Sequence, residues 1–449
     1  MAASGLQVPF LDFDLSGGKS AFLDVPPPED EDSTVAGLFR KLFDIRFSYI
    51  KESLETCLPF TFWFPQFLKH SPLDGLVKDV LCGLTVTAVL VPQAMAYSML
   101  AALKPEYGLY TAMAPCLGYM LFGSCKHLSV GPFALISMLT ASGIRTVVPY
   151  PDQDPEGAVA AAVILSFFVG VILLVFGLLR LGFIATFLSD PVLSGFCTAS
   201  SIIIPVSQLK YAFQVTIVDS HFLPEVRSLA SSELAGLGNS VSFLIFFMSL
   251  GGIVVMQHIN KKPPRRLAGA LKQFPLPAEL IVVIVSTFLC WALKLGECPG
   301  PCVRHLDPLP PGLPKISIPN FGEPHIKKLA NESLLIAAMS YIISMSVSKT
   351  FGRKFNYEVD NNQELIALGT ANLLGCLTSS YPACASLSRT AIIGNAGART
   401  PLHNLWTVLA VCGVLMACTK LIEPLPLATL AAIVVMAFKS LLLSGLDEC

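Results

Sequence analysis

Charged residues are scarce in this sequence. Only 14% of its 449 residues are Asp, Glu, Lys or Arg, whereas 53% are hydrophobic. This composition excludes an ordinary soluble enzyme, whose surface needs more charge. The net charge of −1 is also far from the clustered basic surface of a nucleic-acid-binding protein. We therefore predict no nucleic-acid partner.

Sequence motifs of common enzyme sites are missing as well. The chain contains no P-loop, no zinc-protease motif and no nucleophile elbow. We predict that the protein is not an enzyme. No catalytic residue, metal ligand or cofactor is assigned.

The N-terminus lacks the basic flank and apolar run of a cleavable signal peptide. Its first thirty-odd residues are polar and acidic, as in the proline- and acid-rich stretch 26–32. The first spanning helix must then act as the insertion signal. Residues 1–72 are predicted to form a cytoplasmic segment, largely disordered at first and then suited to the membrane surface.

The 13 cysteines do not predict a disulfide scaffold. Most of them lie in apolar segments, where cysteine packs as a small hydrophobic residue. Cys298 and Cys302 differ because they lie in a Pro/Gly-rich loop. The sequence leaves open whether this pair is a disulfide or two free thiols.

Long apolar runs are what the sequence does contain. A bilayer core about 30 Å thick requires roughly 20 apolar residues per helix, and the mean hydropathy is +0.65. The lipid bilayer is therefore a predicted partner. Twelve segments are predicted near 77–100, 107–123, 131–147, 157–180, 182–207, 240–257, 277–296, 331–350, 362–378, 386–395, 401–420 and 425–443.

The distribution of Lys and Arg orients these segments. Short loops on the cytoplasmic side of a membrane protein are enriched in both residues. With the N-terminus inside, the loops after segments two, four, six and eight are the basic ones, as in the run 261–272. Residues 297–330 then form an extracellular loop, and the sequon at Asn331 lies close to segment eight, which makes it a poor glycosylation site.

Two segments are interrupted by proline and glycine. Segment three opens at Gly131 and Pro132, and segment ten follows Pro382 and ends near Gly394. Such interruptions predict half-helices that begin inside the membrane. The two segments are separated by an odd offset of seven, so the second copy must be inverted. Paired half-helix N-termini would attract an anion.

Arg389 is the clearest charged residue at membrane depth. An intramembrane arginine is by default functional, and here it adjoins Ser388 at the start of a predicted half-helix. The pair can donate hydrogen bonds to an anion. The alternatives are an arginine that snorkels to water or one that neutralises a structural carboxylate.

Three further side chains are candidates only in combination. Gln93 alone is better explained as a hydrogen bond between helices, and Tyr97 and Phe133 alone as core aromatic residues. Beside two broken segments, the aromatic rings can form an apolar wall around a poorly hydrated anion.

Several blocks of sequence resemble the sulfate permease (SulP, solute carrier 26) family. The first extends from Asp79 through Tyr97, and is followed by 108–110, 122–124 and 129–134. A second block includes 362–369 and 386–390. The resemblance covers about residues 60–445, with the motifs in the family's order and spacing.

The resemblance implies an all-α polytopic membrane protein with the seven-plus-seven inverted-repeat transporter fold, divided into core and gate domains. It also implies secondary-active exchange of small inorganic or organic anions, such as chloride, bicarbonate, sulfate and oxalate, by an elevator-type motion. A homodimer in the plasma membrane is expected. The residues that correspond to the family's central anion site are Gln93, Tyr97, Phe133, Leu387, Ser388 and Arg389.

The resemblance divides the chain into six regions. Core helices 1–4 and the start of the gate occupy the first repeat, and core helices 8–11 the second. Helix 5 begins near 182, and about twelve of fourteen segments are expected, with no STAS domain. The regions are 1–72, 73–206 (first repeat), 207–296 (gate helices 5–7), 297–330 (extracellular loop), 331–420 (second-repeat core) and 421–449 (incomplete gate, helix 12).

Two departures from the family pattern leave alternatives open. Ile343 stands where proton-coupled members carry glutamate, which favours anion exchange or uncoupled transport, including a channel, over proton symport. The chain stops at Cys449 after segment twelve, so a truncated form that modulates full-length relatives is an alternative function. A nucleobase permease is less favoured, because Ile343 and Ser388 do not supply its carboxylates.

Overall fold

A computed structural model describes residues 59–69, 72–151, 153–183, 190–214, 240–262, 276–295, 303–306, 308–319, 321 and 326–447. In these ranges the chain is almost entirely helical. The helices are α1 (Pro59–Lys69), α2 (Pro72–Leu100), α3 (Pro105–Thr111), α4 (Ala114–Phe122), α5 (Ala134–Arg145), α6 (Pro155–Leu178), α7 (Asp190–Phe213), α8 (Ser240–Lys261), α9 (Ala278–Ala292), α10 (Ile326–Lys354), α11 (Asn361–Cys376), α12 (Leu387–Ala396), α13 (His403–Gly413), α14 (Thr419–Ile422) and α15 (Leu427–Asp447).

Short elements of other kinds complete the chain. The strands β1 (Val130–Gly131) and β2 (Cys384–Ala385) precede the short helices α5 and α12. A 3-10 turn follows α6, and a π-helical stretch joins α13 to α14. The sequence predicted an all-α fold, so these two short strands were not expected.

Helices overlie all twelve predicted segments, with three differences. The second segment is two helices, α3 and α4, and α10 begins at Ile326, inside the predicted loop 297–330. The fifth segment begins at Asp190 rather than near 182, with residues 184–189 outside the described ranges. The predicted disordered tail and the pair Cys298 and Cys302 also lie outside those ranges.

Pro115 explains the break in the second segment. Proline lacks an N–H and its ring clashes with the preceding turn of a helix, so a new helix starts where Pro115 can sit in the first turn. The preceding helix ends at Thr111, whose Oγ1 accepts a hydrogen bond from Tyr381 N at 3.1 Å. Through this hydrogen bond, the end of α3 is connected to the chain that leads into α12.

Five helical stretches of the described chain are long and apolar enough to cross a bilayer. Large apolar side chains are exposed on the outward faces of α8 and α9, among them Phe247, Met248, Phe288 and Trp291. The five stretches are Leu73–Leu100, Pro155–Leu178, Ser240–Lys261, Ile326–Lys354 and His403–Ile422. The protein is a multi-pass membrane protein.

The strands β1 and β2 pair in antiparallel fashion, with Val130 opposite Ala385 and Gly131 opposite Cys384. Each strand leads into a short helix, and the helices that open the two halves, α2 and α10, have the same length of 29 residues. Antiparallel pairing of equivalent strands is what a two-fold relation between inverted repeats requires.

Close helix packing depends on glycine where α6 meets α11. A Cβ built at Gly369 would lie 2.6 Å from Leu174 N, and one at Gly170 would lie 2.9 Å from Leu373 N. Small residues let membrane helices approach at backbone distance. This contact between α6 and α11 packs the second half of the core against the first.

An extended segment crosses one end of the helices. Leu306 N donates to Leu425 O at 3.0 Å, and Leu427 N donates to Arg304 O at 3.1 Å. Further along, Gly312 N donates to Leu415 O at 3.3 Å. The segment thus contacts both the start of α15 and the π-helical stretch between α13 and α14.

Candidate functional site

The two half-helices begin at the same place in the protein. Their N-termini follow the paired strands β1 and β2, and Ser386 N extends the pairing by donating to Ser129 O at 3.1 Å. The start of the first half-helix differs from the sequence prediction in the position of its proline. Pro132 lies in the extended chain before α5, whose first residue is Ala134, rather than in the first helical turn.

No side chain caps either half-helix. The N-cap residues Phe133 and Ser386 are extended, and neither side chain accepts a hydrogen bond from a backbone N–H of its helix. The first N–H groups of a helix have no partner within that helix and carry the positive end of its dipole. Two such ends meeting in the protein interior form an anion-binding environment.

Arg389, in the first turn of α12, is completely buried. Its Nε donates to Ser129 Oγ at 3.2 Å, and its Nη1 donates to Pro132 O at 3.0 Å. Nη2 has no hydrogen-bond partner among the described residues. The guanidinium is therefore oriented by the opposite half-helix and keeps the N–H donors of Nη2 available.

Arg389 has no ion pair in the described part of the chain. The ion pairs found there all involve Asp74, which binds Lys78 and Arg399 at the protein surface. Neither alternative for Arg389, snorkelling or neutralising a structural carboxylate, agrees with complete burial and hydrogen bonds to neutral groups. An uncompensated buried charge is costly, which favours a ligand that supplies the negative charge.

Gln93 and Tyr97 lie on α2, which packs against both half-helices. Both side chains are buried, and Gln93 Oε1 has no partner among the described residues. These two predicted residues therefore contribute polar atoms from a third helix.

The remaining predicted residues lie at the helix starts. Phe133 is the half-buried N-cap of α5, and Leu387 and Ser388 are the exposed first residues of α12. Ser388 Oγ lies 3.3 Å from Ser386 Oγ. Arg389 is thus covered by protein, while Leu387 and Ser388 face the open side of the junction.

Two residues that hold this arrangement were not predicted as part of the site. Ser129 accepts the hydrogen bond from Arg389 Nε, and its own N–H donates to Thr390 Oγ1 at 3.2 Å. Gly131 leaves space in front of the guanidinium, because a Cβ there would lie 3.6 Å from Nη2. The available signal was the recurrence of Ser and Thr beside the Gly/Pro interruptions.

A second buried polar cluster lies around Glu364. Its carboxylate accepts hydrogen bonds from Tyr119 OH at 2.9 Å, Ser124 Oγ at 2.7 Å, Cys125 N at 3.1 Å and Ser348 Oγ at 3.2 Å. A carboxylate with this many donors is fully satisfied. We interpret Glu364 as the residue that joins α4, α10 and α11, and the described residues contain no group of three or more His, Cys, Asp or Glu able to hold a metal ion.

Comparison with solved structures supports the fold. The structure of SLC26A9 matches with a TM-score of 0.80 and 26% identity, covering 94% of this chain and 66% of that one. The transmembrane domain of the cyanobacterial bicarbonate transporter BicA matches in fold with a TM-score of 0.72, covering 84% and 90% at 21% identity. The predicted all-α polytopic transporter fold is confirmed, with the two short strands as an addition.

Comparison with curated proteins identifies relatives of about twice this length. Sulfate transporter 4.1, chloroplastic, of Arabidopsis thaliana is 34% identical over 364 residues, covering 81% of this chain and 51% of the relative. Prestin of Danio rerio is 32% identical, covering 84% and 52%. Solute carrier family 26 member 6 of Homo sapiens is 31% identical, covering 86% and 50%. The chain therefore spans about half the length of the curated relatives it matches.

The family model described as the sulfate permease family matches residues 76–446, which include both half-helices and every predicted site residue. The predicted resemblance is confirmed. Members of this family are transporters, which agrees with the prediction that the chain is not an enzyme. The chain belongs to the sulfate permease family.

Proposed function

We propose that this chain binds a small anion at the junction of α5 and α12 and carries it across the membrane. The proposed activity is exchange across the membrane of anions of the chloride, bicarbonate, sulfate and oxalate class. Gln93, Tyr97, Phe133, Leu387, Ser388 and Arg389 surround the bound ion. The observation that carries the proposal is the buried Arg389, which has one unpartnered donor between two uncapped half-helices.

The chemistry of binding follows from the available donors. Arg389 Nη2 and the first N–H groups of both half-helices can donate to the anion, while the dipoles supply further positive potential. Gln93 can offer two N–H donors to the anion after a 180° rotation of its amide, because its carbonyl oxygen would repel an anion. Phe133 and Leu387 limit access of water, which strengthens each electrostatic interaction.

Transport requires the bound ion to reach both sides of the membrane. We propose that the core (73–206 without helix 5, and 331–420) moves as one unit against the gate (helix 5, 207–296 and 421–449) in an elevator-type cycle. The paired strands favour this motion over separation of the half-helices, since they connect the two halves of the core at the site. A solved relative is described as a murine anion transporter in the inward-facing state.

The proposal includes exchange rather than proton symport, because Ile343 cannot carry a proton. It also includes a homodimer in the plasma membrane with the N-terminus in the cytoplasm. The basic residues of the run 261–272 would then face the cytoplasm.

The test is anion binding and flux by the purified chain. It is reconstituted into liposomes, and chloride-dependent uptake of sulfate, oxalate and bicarbonate is measured, with binding followed by calorimetry in nanodiscs. Arg389→Gln is expected to weaken anion binding by about 100-fold, as for removal of a buried charged partner. Arg399→Gln is the matched control, because Arg399 contacts Asp74 at the surface. Equal binding by Arg389→Gln and the unmodified chain would show that the site lies elsewhere.

A further inference from the structure

Residues 313–319 together with Phe321, here called the apolar segment, expose large apolar side chains just before α10. Ile316 and Ile318 are each 82% exposed, and Leu313 and Phe321 are exposed as well. Lys315 is the only charged residue of the stretch 308–319. A cluster of exposed apolar side chains is unfavourable in a loop surrounded by water, and it marks a surface that contacts protein or membrane.

The apolar segment is held against α6 and α11. Ser317 N donates at 2.9 Å to the carbonyl oxygen of Leu377, which directly follows α11. The ring of Phe321 meets the ring of Phe167 on α6 edge to face, with the two centroids 4.9 Å apart. Aromatic pairs of this geometry are favourable. The segment therefore lies along two membrane helices of the core instead of projecting into solvent.

The helices α6 and α10 run side by side in the same direction. In the first half of each, a Cβ built at Gly143 would lie 3.0 Å from Leu165 Cδ1 and 3.6 Å from Glu332 Cβ. Further along both helices, Tyr341 OH donates at 2.8 Å to Gly182 O, which follows the end of α6. Leu165 and Glu332 are therefore at about the same depth in the membrane.

Glu332 marks the edge of the apolar layer of the membrane. Residues 333–348, which follow it in α10, contain no charged side chain. Phe167 comes two residues after the α6 residue that is level with Glu332, so it lies about 3 Å deeper along the helix axis. Phe321 contacts Phe167 and therefore lies where the polar layer meets the apolar core of the bilayer.

We propose that the apolar segment is embedded in the membrane interface, with the side chains of Ile316, Ile318 and Phe321 among the lipid acyl chains. In the orientation proposed above, the leaflet concerned is the outer one. Side chains two residues apart in an extended chain point to the same side, so both isoleucines enter the lipid together. The long side chain of Lys315 can extend its ammonium group to the headgroups.

Continuity with the surrounding surface identifies lipid as the occupant. The side chains of Leu334 and Leu335, the first apolar residues of α10 after Glu332, are exposed at 52% and 51%. A helix that crosses the bilayer presents such residues to acyl chains, and the apolar segment extends this surface at a similar depth. Water still reaches the backbone at the interface, so an extended chain is tolerated there. This contact with lipid is independent of the anion site.

Photo-crosslinking of the full chain in phosphatidylcholine nanodiscs tests the contact. The variants Ile316→p-benzoylphenylalanine and Ile318→p-benzoylphenylalanine are irradiated separately, and their intact masses are measured. Because both side chains are almost fully exposed, the replacements leave the packing of the protein intact, which gel filtration checks. Each variant is expected to gain the mass of one phospholipid.

Two further positions provide the controls. Phe288→p-benzoylphenylalanine is the lipid-facing reference, because Phe288 is exposed on the apolar face of α9, and the yields at 316 and 318 should be comparable with its yield. Glu358→p-benzoylphenylalanine is the matched negative control, because Glu358 is exposed in the polar connection between α10 and α11. This variant should gain no phospholipid.

Two results would overturn the proposal. A lack of phospholipid adducts at both 316 and 318, with normal labelling at 288, would mean that the apolar segment lies in water. Crosslinks that join two protein chains in place of phospholipid adducts would mean that a second copy of the chain covers the segment. Neither result depends on anion binding or flux, so the proposed function is tested separately.

Discussion

Arg389 and Ser129 come from opposite halves of the chain, and the arginine Nε donates to the serine Oγ at 3.2 Å. The same serine bonds through its N–H to Thr390, the neighbour of Arg389. Ser129 thereby orients both the guanidinium and the first turn of α12. Each half-helix is positioned by groups that belong to the other.

Replacing Ser129 with alanine is expected to weaken anion binding without unfolding the protein. The change removes one acceptor from a buried charged donor, which typically costs about 1–3 kcal/mol. We expect chloride affinity to fall about tenfold by calorimetry. The control is Thr85→Ala, because among the described residues the Thr85 hydroxyl bonds within its own helix, at Leu81 O. An equal loss of affinity in both variants would contradict the orienting role of Ser129.

Adding one methyl group at Gly369 is expected to destabilise the core. The new Cβ would lie 2.6 Å from Leu174 N, so α6 and α11 would have to separate. Overpacking of this kind costs about 1–3 kcal/mol, and the melting temperature of Gly369→Ala should fall. Gly251→Ala is the control, because nothing lies within 4 Å of a Cβ at Gly251. A melting temperature for Gly369→Ala that matches Gly251→Ala would show that the helices tolerate a wider spacing.

The Glu364→Gln substitution is expected to lower the melting temperature strongly. Five neighbouring groups, including Ser124 N, donate to the Glu364 carboxylate, so an amide NH2 placed among them would face donors and leave at least one unpaired. The expected loss is about 3 kcal/mol. Glu358→Gln is the control, because Glu358 is exposed at the surface. Two equally stable variants would show that the cluster reorganises around the amide.

His127 should make the stability of the protein depend on pH. Burial, with a further contribution from Lys126, lowers the pKa of this histidine from 6.5 to about 4. The unfolded chain then takes up a proton first as the pH falls below 6.5. The stabilisation is complete above pH 6.5 and is lost towards pH 4, by up to about 1.4 kcal/mol per pH unit.

Melting temperatures measured between pH 7.5 and 5 provide the test. His127→Gln should show a shallower decline than the unmodified chain, because glutamine does not titrate. His258→Gln replaces an exposed histidine and should keep the original slope. Parallel curves for all three proteins would show that His127 does not titrate on unfolding.

Much of the fold could be predicted because membrane helices are specified by local hydropathy. The half-helices α5 and α12 were also predictable, since Pro132 and Gly131 interrupt an apolar run in the sequence itself. The break between α3 and α4 was missed, although Pro115 marks it. Helical hydrophobicity continues across that break, so composition alone does not reveal it.

The candidate site was predictable only in part, because its geometry depends on contacts between distant residues. Arg389 stood out as a charge in an apolar segment. Its partners did not, since Ser129 is one of many serines and Pro132 contributes only a backbone oxygen. The cluster around Glu364 was missed for the same reason, because Tyr119 and Ser124 lie far from it in sequence.

The hydrogen bonds of Leu306 and Gly312 have a consequence for movement. Leu306 N donates to Leu425 O, before α15, and Gly312 N donates to Leu415 O, in the π-helical stretch that joins α13 to α14. The two hydrogen bonds hold the extended segment against the connection between Leu415 and Leu425, so that connection cannot shift relative to the segment unless one of them breaks.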